Sequence, residues 1–167
     1  TPPIGPTNLA RPTAHKINKP AFSWTAATDA TSGIDYYQAR IDSGTWSNIG
    51  NLTSFTLTSS LSDGSHTFEP KAVDKAGNTG SAVSLSFSID TAPPTQPTGL
   101  TKTTPDNNNR PTFTWSASTD ATSGIDYYQA RMDSGTWSNI GNVITYTWPT
   151  ALSNGSHNFE VRAVDKA

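Results

Sequence analysis

Hydrophobic and polar residues along this chain alternate in short runs and never recur at helical spacing over three turns. In PAFSWTA, residues 20–26, Phe22 and Trp24 fall on one side of an extended strand and Ser23 and Thr25 on the other. IDYYQARID, residues 34–42, puts Tyr37, Ala39 and Ile41 on one face and Tyr36, Gln38 and Arg40 on the opposite face. PTNLA (6–10), TWSNI (45–49), SFTLTSSL (54–61), SHTFEPKAV (65–73) and SAVSLSFSI (81–89) complete seven strands. The stretches between them, ATDATSG, SDG and DKAGNTG, are turn chemistry. Seven short strands in about ninety residues predict two packed antiparallel sheets, with Trp on the second strand and Tyr on the third.

The stretch TDATSGIDYYQARIDSGTWSNIGN from Thr28 to Asn51 returns from Thr119 to Asn142 with one change, Ile41 to Met132. At the same offset about three positions in five agree across the rest of the two copies, a period that marks tandem domains. The expected fold class is therefore all-β, as two tandem seven-strand antiparallel sandwiches over 1–91 and 92–167. A Pro-rich joint spans about 90–98, where Pro93, Pro94 and Pro97 favour extended, bend-resistant backbone. The second copy reaches Ala167 without a counterpart of SAVSLSFSI, so it is expected to lack its last strand. That leaves two alternatives: the segment simply ends there, or another chain donates the strand.

Composition narrows the function classes. Formal net charge is −2 and no Lys/Arg run or basic stripe occurs, which argues against a nucleic-acid partner. Cysteine is absent, so disulfides and thiolate metal sites are excluded. No apolar run approaches the roughly 18 residues of a membrane span. Residue 1 falls inside a repeat, so the chain reads as a segment of something longer. Five Trp, five Tyr and six Phe offset the modest hydrophobic content of 33% by filling small cores with large rings.

LSDGSHTFEPKAVDKAGNTG, with its L-x-D-G-x-H-x-F stretch and D-x-A-G-N loop followed by IDTAPPTQP, resembles the Ig-like and fibronectin type III-like tandem repeats of bacterial and archaeal surface proteins. The resemblance covers essentially the whole chain. It implies an extracellular or cell-surface location, neighbouring repeats as partners, and a structural role in a stalk, adhesin or filament.

His66 and His157 repeat between a Gly-containing turn and an inward Phe, where many sandwiches keep a corner residue bonded back to the preceding loop, and a structural role is expected for them. No nucleophile elbow, zinc-protease or phosphate-loop pattern is present, so no catalytic residue is expected. Eleven of the thirteen acids are Asp at loop or strand ends, where they cap turns. Topology suggests a sharper reading. Loops after the second and sixth strands share one end, gathering Asp29, Asp35, Asp74 and Asn78, and their equivalents meet the preceding module's far end. Asp63, Asp90, Asp120, Asp126 and Asp165 are therefore candidate Ca²⁺ ligands at the joint, Ca²⁺ taking six to eight oxygens. The resemblance to repeat adhesins with calcium-stiffened joints points the same way.

Surface aromatics define the third candidate. Tyr36, Gln38, Arg40 and Trp46, with Tyr127, Gln129, Arg131 and Trp137, form a possible carbohydrate- or host-surface-binding face. A two-residue Ser43-Gly44 turn would aim Trp46 at the core, and a three-residue loop would aim it outward. Finally, Pro70 replaces Val161 at an inward position of the sixth strand, which predicts a local irregularity absent from the second copy. The leading expectation is a structural repeat. The alternatives are an accessory binding module and a subunit assembling by strand donation.

Overall fold

The computed structural model describes residues 1–11 and 14–167. The chain divides into two compact units, Thr1–Thr91 and Ala92–Ala167. The first contains β1 (Thr7–Ala10), β2 (Ala21–Thr25), β3 (Ile34–Ile41), β4 (Ser47–Gly50), β5 (Ser54–Thr56), β6 (Gly64–Asp74) and β7 (Leu85–Ile89). They form two antiparallel sheets, ordered β1-β2-β5 and β4-β3-β6-β7. The second contains β8 (Thr98–Lys102), β9 (Thr112–Ser116), β10 (Ile125–Met132), β11 (Ser138–Gly141), β12 (Thr145–Thr147) and β13 (Phe159–Asp165). Its sheets run β8-β9-β12 and β11-β10-β13, so it is a sandwich with one strand fewer.

Alternation places the large rings between the sheets of each unit. Phe22 on β2 stacks on Phe68 of β6 with ring centroids 4.0 Å apart, and both are almost fully buried. Trp24, Ala27, Tyr37, Ala39 and Ala72 complete that core. Each fully buried ring of this kind contributes roughly 1.5–3 kcal/mol of transfer free energy. The second unit repeats the stack as Phe113 on Phe159 at 3.9 Å. There Trp148, at the position of Leu57, meets Phe159 edge-on at 6.3 Å. The third-strand tyrosine does more than fill space: the Ala27 N–H donates to Tyr37 Oη at 2.7 Å, and the Ser118 N–H donates to Tyr128 Oη at 2.8 Å. A ring rooted in one sheet thereby satisfies a buried backbone donor in the loop leaving the other sheet.

Three departures from the alternation pattern have local causes. The first strand of each unit shifts register at a residue with left-handed backbone, Asn8 (φ 52) or Gly99 (φ 62), the residue types that tolerate it. The fifth strand is shorter than the run 54–61 suggests. Leu57 N–H donates to Pro20 O, and proline has no N–H with which to return the bond and extend the ladder. The seventh strand begins only at Leu85. Before it the chain is held by Gly80 N–H to Ala72 O and Val83 N–H to Pro70 O. A Cβ on Gly80 would lie 2.6 Å from Pro3 O, so the N-terminal segment packs too close to this stretch for a side chain there.

The irregularity expected at Pro70 is absent from the β3–β6 ladder and falls instead on the β7 side. β6 runs unbroken through residue 70, and Ala39 pairs with Pro70 as Ala130 pairs with Val161. Pro70 O accepts from Val83, so its backbone polar groups face β7, away from β3. The missing N–H therefore falls outside the β3 ladder and on the β7 side, where Val83 N–H to Pro70 O is the next rung but has no return bond, and the regular β6–β7 ladder ends at Phe68 and Leu85. The register shift between β3 and β6 lies at Ile34–Tyr36 and recurs at Ile125–Tyr127, so it owes nothing to proline.

Candidate functional site

The outward face of the sheet containing β3 and β6 carries the residues singled out for surface binding. Pairing of Gln38 with Lys71 and Arg40 with Glu69 puts the four side chains in two cross-strand rows. On the other flank, pairing of Ala39 with Ser47 sets Trp46 opposite Arg40. The chain reverses with Asp42 (φ 51) and Ser43 (φ 59) both left-handed and Gly44 N–H donating to Ile41 O at 2.8 Å. The turn thus centres one residue earlier than the Ser43-Gly44 expectation, and Trp46 points outward.

Once outward, the indole does not stand open as a platform. The Arg40 guanidinium lies 4.5 Å from its ring centroid and the Lys71 ammonium 4.0 Å. Arg40 Nε and Nη2 also donate to Glu69 at 2.7 and 3.3 Å. The second unit repeats the arrangement. Arg131 and Arg162 lie 4.5 and 4.3 Å from the Trp137 centroid, and Arg131 forks onto Glu160 at 2.7 and 2.9 Å. The Arg131 bond holds the Glu160 carboxyl below its ordinary range. Gln129 Oε1 accepts from Arg162 at 2.9 Å. Tyr36 and Tyr127 are half-buried on the same face. Cation–π contacts and forked ion pairs of this kind rigidify a surface.

A second repeated cluster was only half visible in the sequence. His66 Nε2 donates to Ser62 O at 2.9 Å, the bond back to the preceding loop that the sequence suggested. Its Nδ1 lies 2.6 Å from Asp42 Oδ2 at the tip of the β3–β4 hairpin. His157 repeats both contacts with Ser153 O and Asp133 Oδ2, at 3.0 and 2.6 Å. Asp42 and Asp133 stand 24 positions from their histidines, and no spacing rule marks them as partners.

The acidic residues mainly cap loops. Asp120 Oδ1 accepts the Thr122, Ser123 and Gly124 N–H groups, as Asp29 Oδ1 accepts those of Thr31, Ser32 and Gly33. These bonds, led by Gly124 and Ser32 respectively, hold both carboxyls below the ordinary value. Asp165 is buried, and its Oδ1 accepts from Ala167 N–H at 3.1 Å. Within the second unit Asp120 and Asp165 bring carboxylate oxygens within 4.8 Å of each other, an arrangement able to take part in metal coordination. Of the remaining candidate ligands, Asp63 binds the Thr91 N–H and hydroxyl, both at 2.9 Å. Asp90 is buried in the first unit with its N–H on His15 O, and Asp126 is exposed on β10. Asp63 and Asp126 do not join the Asp120–Asp165 pair.

Paired sheets, a Trp-centred core and outward ladders of mutually engaged side chains define a tandem of Ig-like, fibronectin type III-like sandwich modules. Residues 9–91 match the family model of the bacterial Ig-like domain. The chain is similar to Chitinase A1 of Niallia circulans, with 33% identity over 185 residues covering 100% of this chain and 24% of that protein. It thus spans about a quarter of that relative's length. Among solved structures it resembles the FN1–FN3 domains of chicken CNTN1 at a TM-score of 0.50 and 12% identity, covering 99% of this chain and 63% of that one, a likeness of fold.

Proposed function

We propose that the chain is a non-catalytic spacer: a stalk or filament segment of a larger secreted or surface-displayed prokaryotic protein, with neighbouring repeats as its main partners. One observation carries this reading. In both units the outward residues of the near-identical stretch are engaged with one another and with the sixth-strand segment: Arg40 and Lys71 lie on Trp46 and Arg131 and Arg162 on Trp137, with Arg40 forked onto Glu69 and Arg131 onto Glu160. A glycan array with the wild-type chain and a Tyr36→Ala, Tyr127→Ala double variant tests it. The spacer reading expects no specific signal from either protein, and a wild-type signal lost in the variant overturns it.

A second reading follows from the 33% identity with Chitinase A1: the spacer stands beside a polysaccharide-degrading domain and assists it. Retention of the chain on insoluble chitin, competed by soluble chitin oligosaccharides, supports direct assistance, and free elution supports a spacer alone. Ca²⁺ is the cation we propose for the carboxylate pair Asp120 and Asp165 of the second unit. Hard oxygen donors suit this ion. A melting temperature identical in excess calcium and in chelator removes it. β13 has no partner on its outer edge among the described residues, which supports strand addition there as a third reading. Sedimentation showing a monomer at all concentrations counts against it.

A further inference from the structure

We propose that His66 and His157 are proton-operated latches, each closing the tip of the β3–β4 or β10–β11 hairpin onto the start of the sixth-strand segment while its ring carries both protons. The argument rests on which atoms face the ring. His66 Nδ1 meets a carboxylate oxygen of Asp42 at 2.6 Å, and Nε2 meets the Ser62 carbonyl at 2.9 Å. Ionised carboxylates and backbone carbonyls only accept hydrogen bonds, so each nitrogen must donate. A ring donating from both nitrogens is an imidazolium, and a neutral ring keeps one bond and turns a lone pair on the other oxygen. Identical geometry at His157, with Asp133 and Ser153, makes the feature a property of the repeat.

What the latch holds is a turn under conformational strain. Asp42 and Ser43 both have left-handed backbone, as do Asp133 (φ 51) and Ser134 (φ 58), and L-residues occupy that region at a cost. The same aspartate accepts a second bond across the sheet end, from Thr67 N–H in one unit and Asn158 N–H in the other, each at 2.8 Å. Trp46 and Trp137 follow these turns directly, so opening the latch loosens the hairpin that presents each indole.

Other charges near the ring have their own partners. Asp63, on the loop before β6, binds Thr91. Arg11 donates to Ser88 O and lies over Phe87, and Phe87 in turn packs 5.8 Å from His66. His15 Nδ1 is 2.9 Å from the Ser88 hydroxyl. In the second unit Lys102, Asp106 and His157 line one cleft of about 350 Å³, with Lys102 bonded to Asp106.

The direction of pH dependence follows. Burial pulls His66 down, but the Asp42 bond, the Ser62 carbonyl and the Asp42 charge outweigh it, and its pKa is raised. His157 is raised chiefly by its bond to Asp133. Burial pushes Asp42 up, yet the His66 bond and the Thr67 N–H leave it lowered, and Asp133 is lowered first by the Asn158 N–H. A raised histidine contributes fully below its unfolded value of about 6.5 and loses the contribution as pH rises through the folded value. A lowered aspartate contributes above its unfolded value of about 3.9 and loses the contribution as pH falls through the folded one. The latch is closed between those limits.

The test is a titration of the full chain by long-range proton–nitrogen NMR of the imidazole rings, from mildly acidic to alkaline pH. The expected result is two protonated nitrogens on His66 and His157 at mildly acidic pH, with midpoints above the ordinary histidine value of about 6.5. The backbone amides of Ser43, Gly44, Ser134 and Gly135 should move with the same midpoints. Asp42→Asn and Asp133→Asn should bring both midpoints down, and if either variant does not fold the wild-type titration still decides. A midpoint at or below about 6.5, or turn amides that ignore the titration, would overturn the proposal.

Discussion

Replacing Tyr37 by Phe removes one oxygen and leaves the packing shape in place. The ring is 1% exposed, and Trp24 lies against it at 5.5 Å, so no cavity forms. The oxygen accepts the Ala27 N–H at 2.7 Å, and Ala27 is itself buried, so water does not readily take over the bond. An orphaned buried backbone donor costs about 1–3 kcal/mol. With a urea m-value of about 1–2 kcal/mol/M for a small domain, a loss near 2 kcal/mol lowers the unfolding midpoint by about 1–2 M. In a thermal melt the shift is about 4–8 °C per kcal/mol. Amide exchange at Ala27 supplies the local readout, since its protection should fall beyond the global change. Tyr128→Phe must do the same to the Ser118 amide, bonded at 2.8 Å. A loss under about 0.5 kcal/mol, with Ala27 protection unchanged, would refute the claim that this hydroxyl is needed by the loop.

Other substitutions probe different supports. Phe68→Ala removes the ring stacked on Phe22 and should cost about 3–5 kcal/mol, read by urea unfolding, with the resonances of Phe22 and Trp24 shifting most. Gly80→Ala drives a Cβ to 2.6 Å from Pro3 O and should lower stability by about 1–3 kcal/mol. Amide exchange at Ile4, Gly5, Gly80 and Ser81 would locate the damage. Arg40→Met keeps the apolar stem but removes the fork on Glu69 and the charge over Trp46. The expected loss is about 1–2 kcal/mol with a change in Trp46 fluorescence, and Arg131→Met should act equally on Trp137.

Strand periodicity was legible wherever one face of the strand is buried. Phe22 and Trp24 on β2 and Tyr37 and Ala39 on β3 read as inward from alternation alone, and they are inward. The orientation of Trp46 could not be read, because it depends on whether Asp42 and Ser43 adopt left-handed backbone, a choice with weak local signal for serine. Pro70 was legible only in part for a related reason: sequence names the residue without the N–H but not the side, here that of β7, on which that N–H would have pointed. The histidine cluster was half legible. A bond from His66 to its own preceding loop is local, whereas Asp42 arrives from another strand through the antiparallel pairing of β3 with β6. The surface residues Tyr36, Gln38 and Arg40 were rightly placed on one outward face. The engagement of Arg40 with Glu69 and of Lys71 with Trp46 depends on cross-strand register, which hydrophobic pattern alone does not set.

The account turns on whether the repeated outward face is occupied by its own side chains or open to a ligand. Backbone and indole NMR of the full chain, titrated with chitin oligosaccharides to millimolar concentration, addresses that directly. The account predicts unmoved resonances for Tyr36, Gln38, Arg40 and Trp46 and for their counterparts Tyr127, Gln129, Arg131 and Trp137. Saturable shifts centred on the two indoles would contradict it.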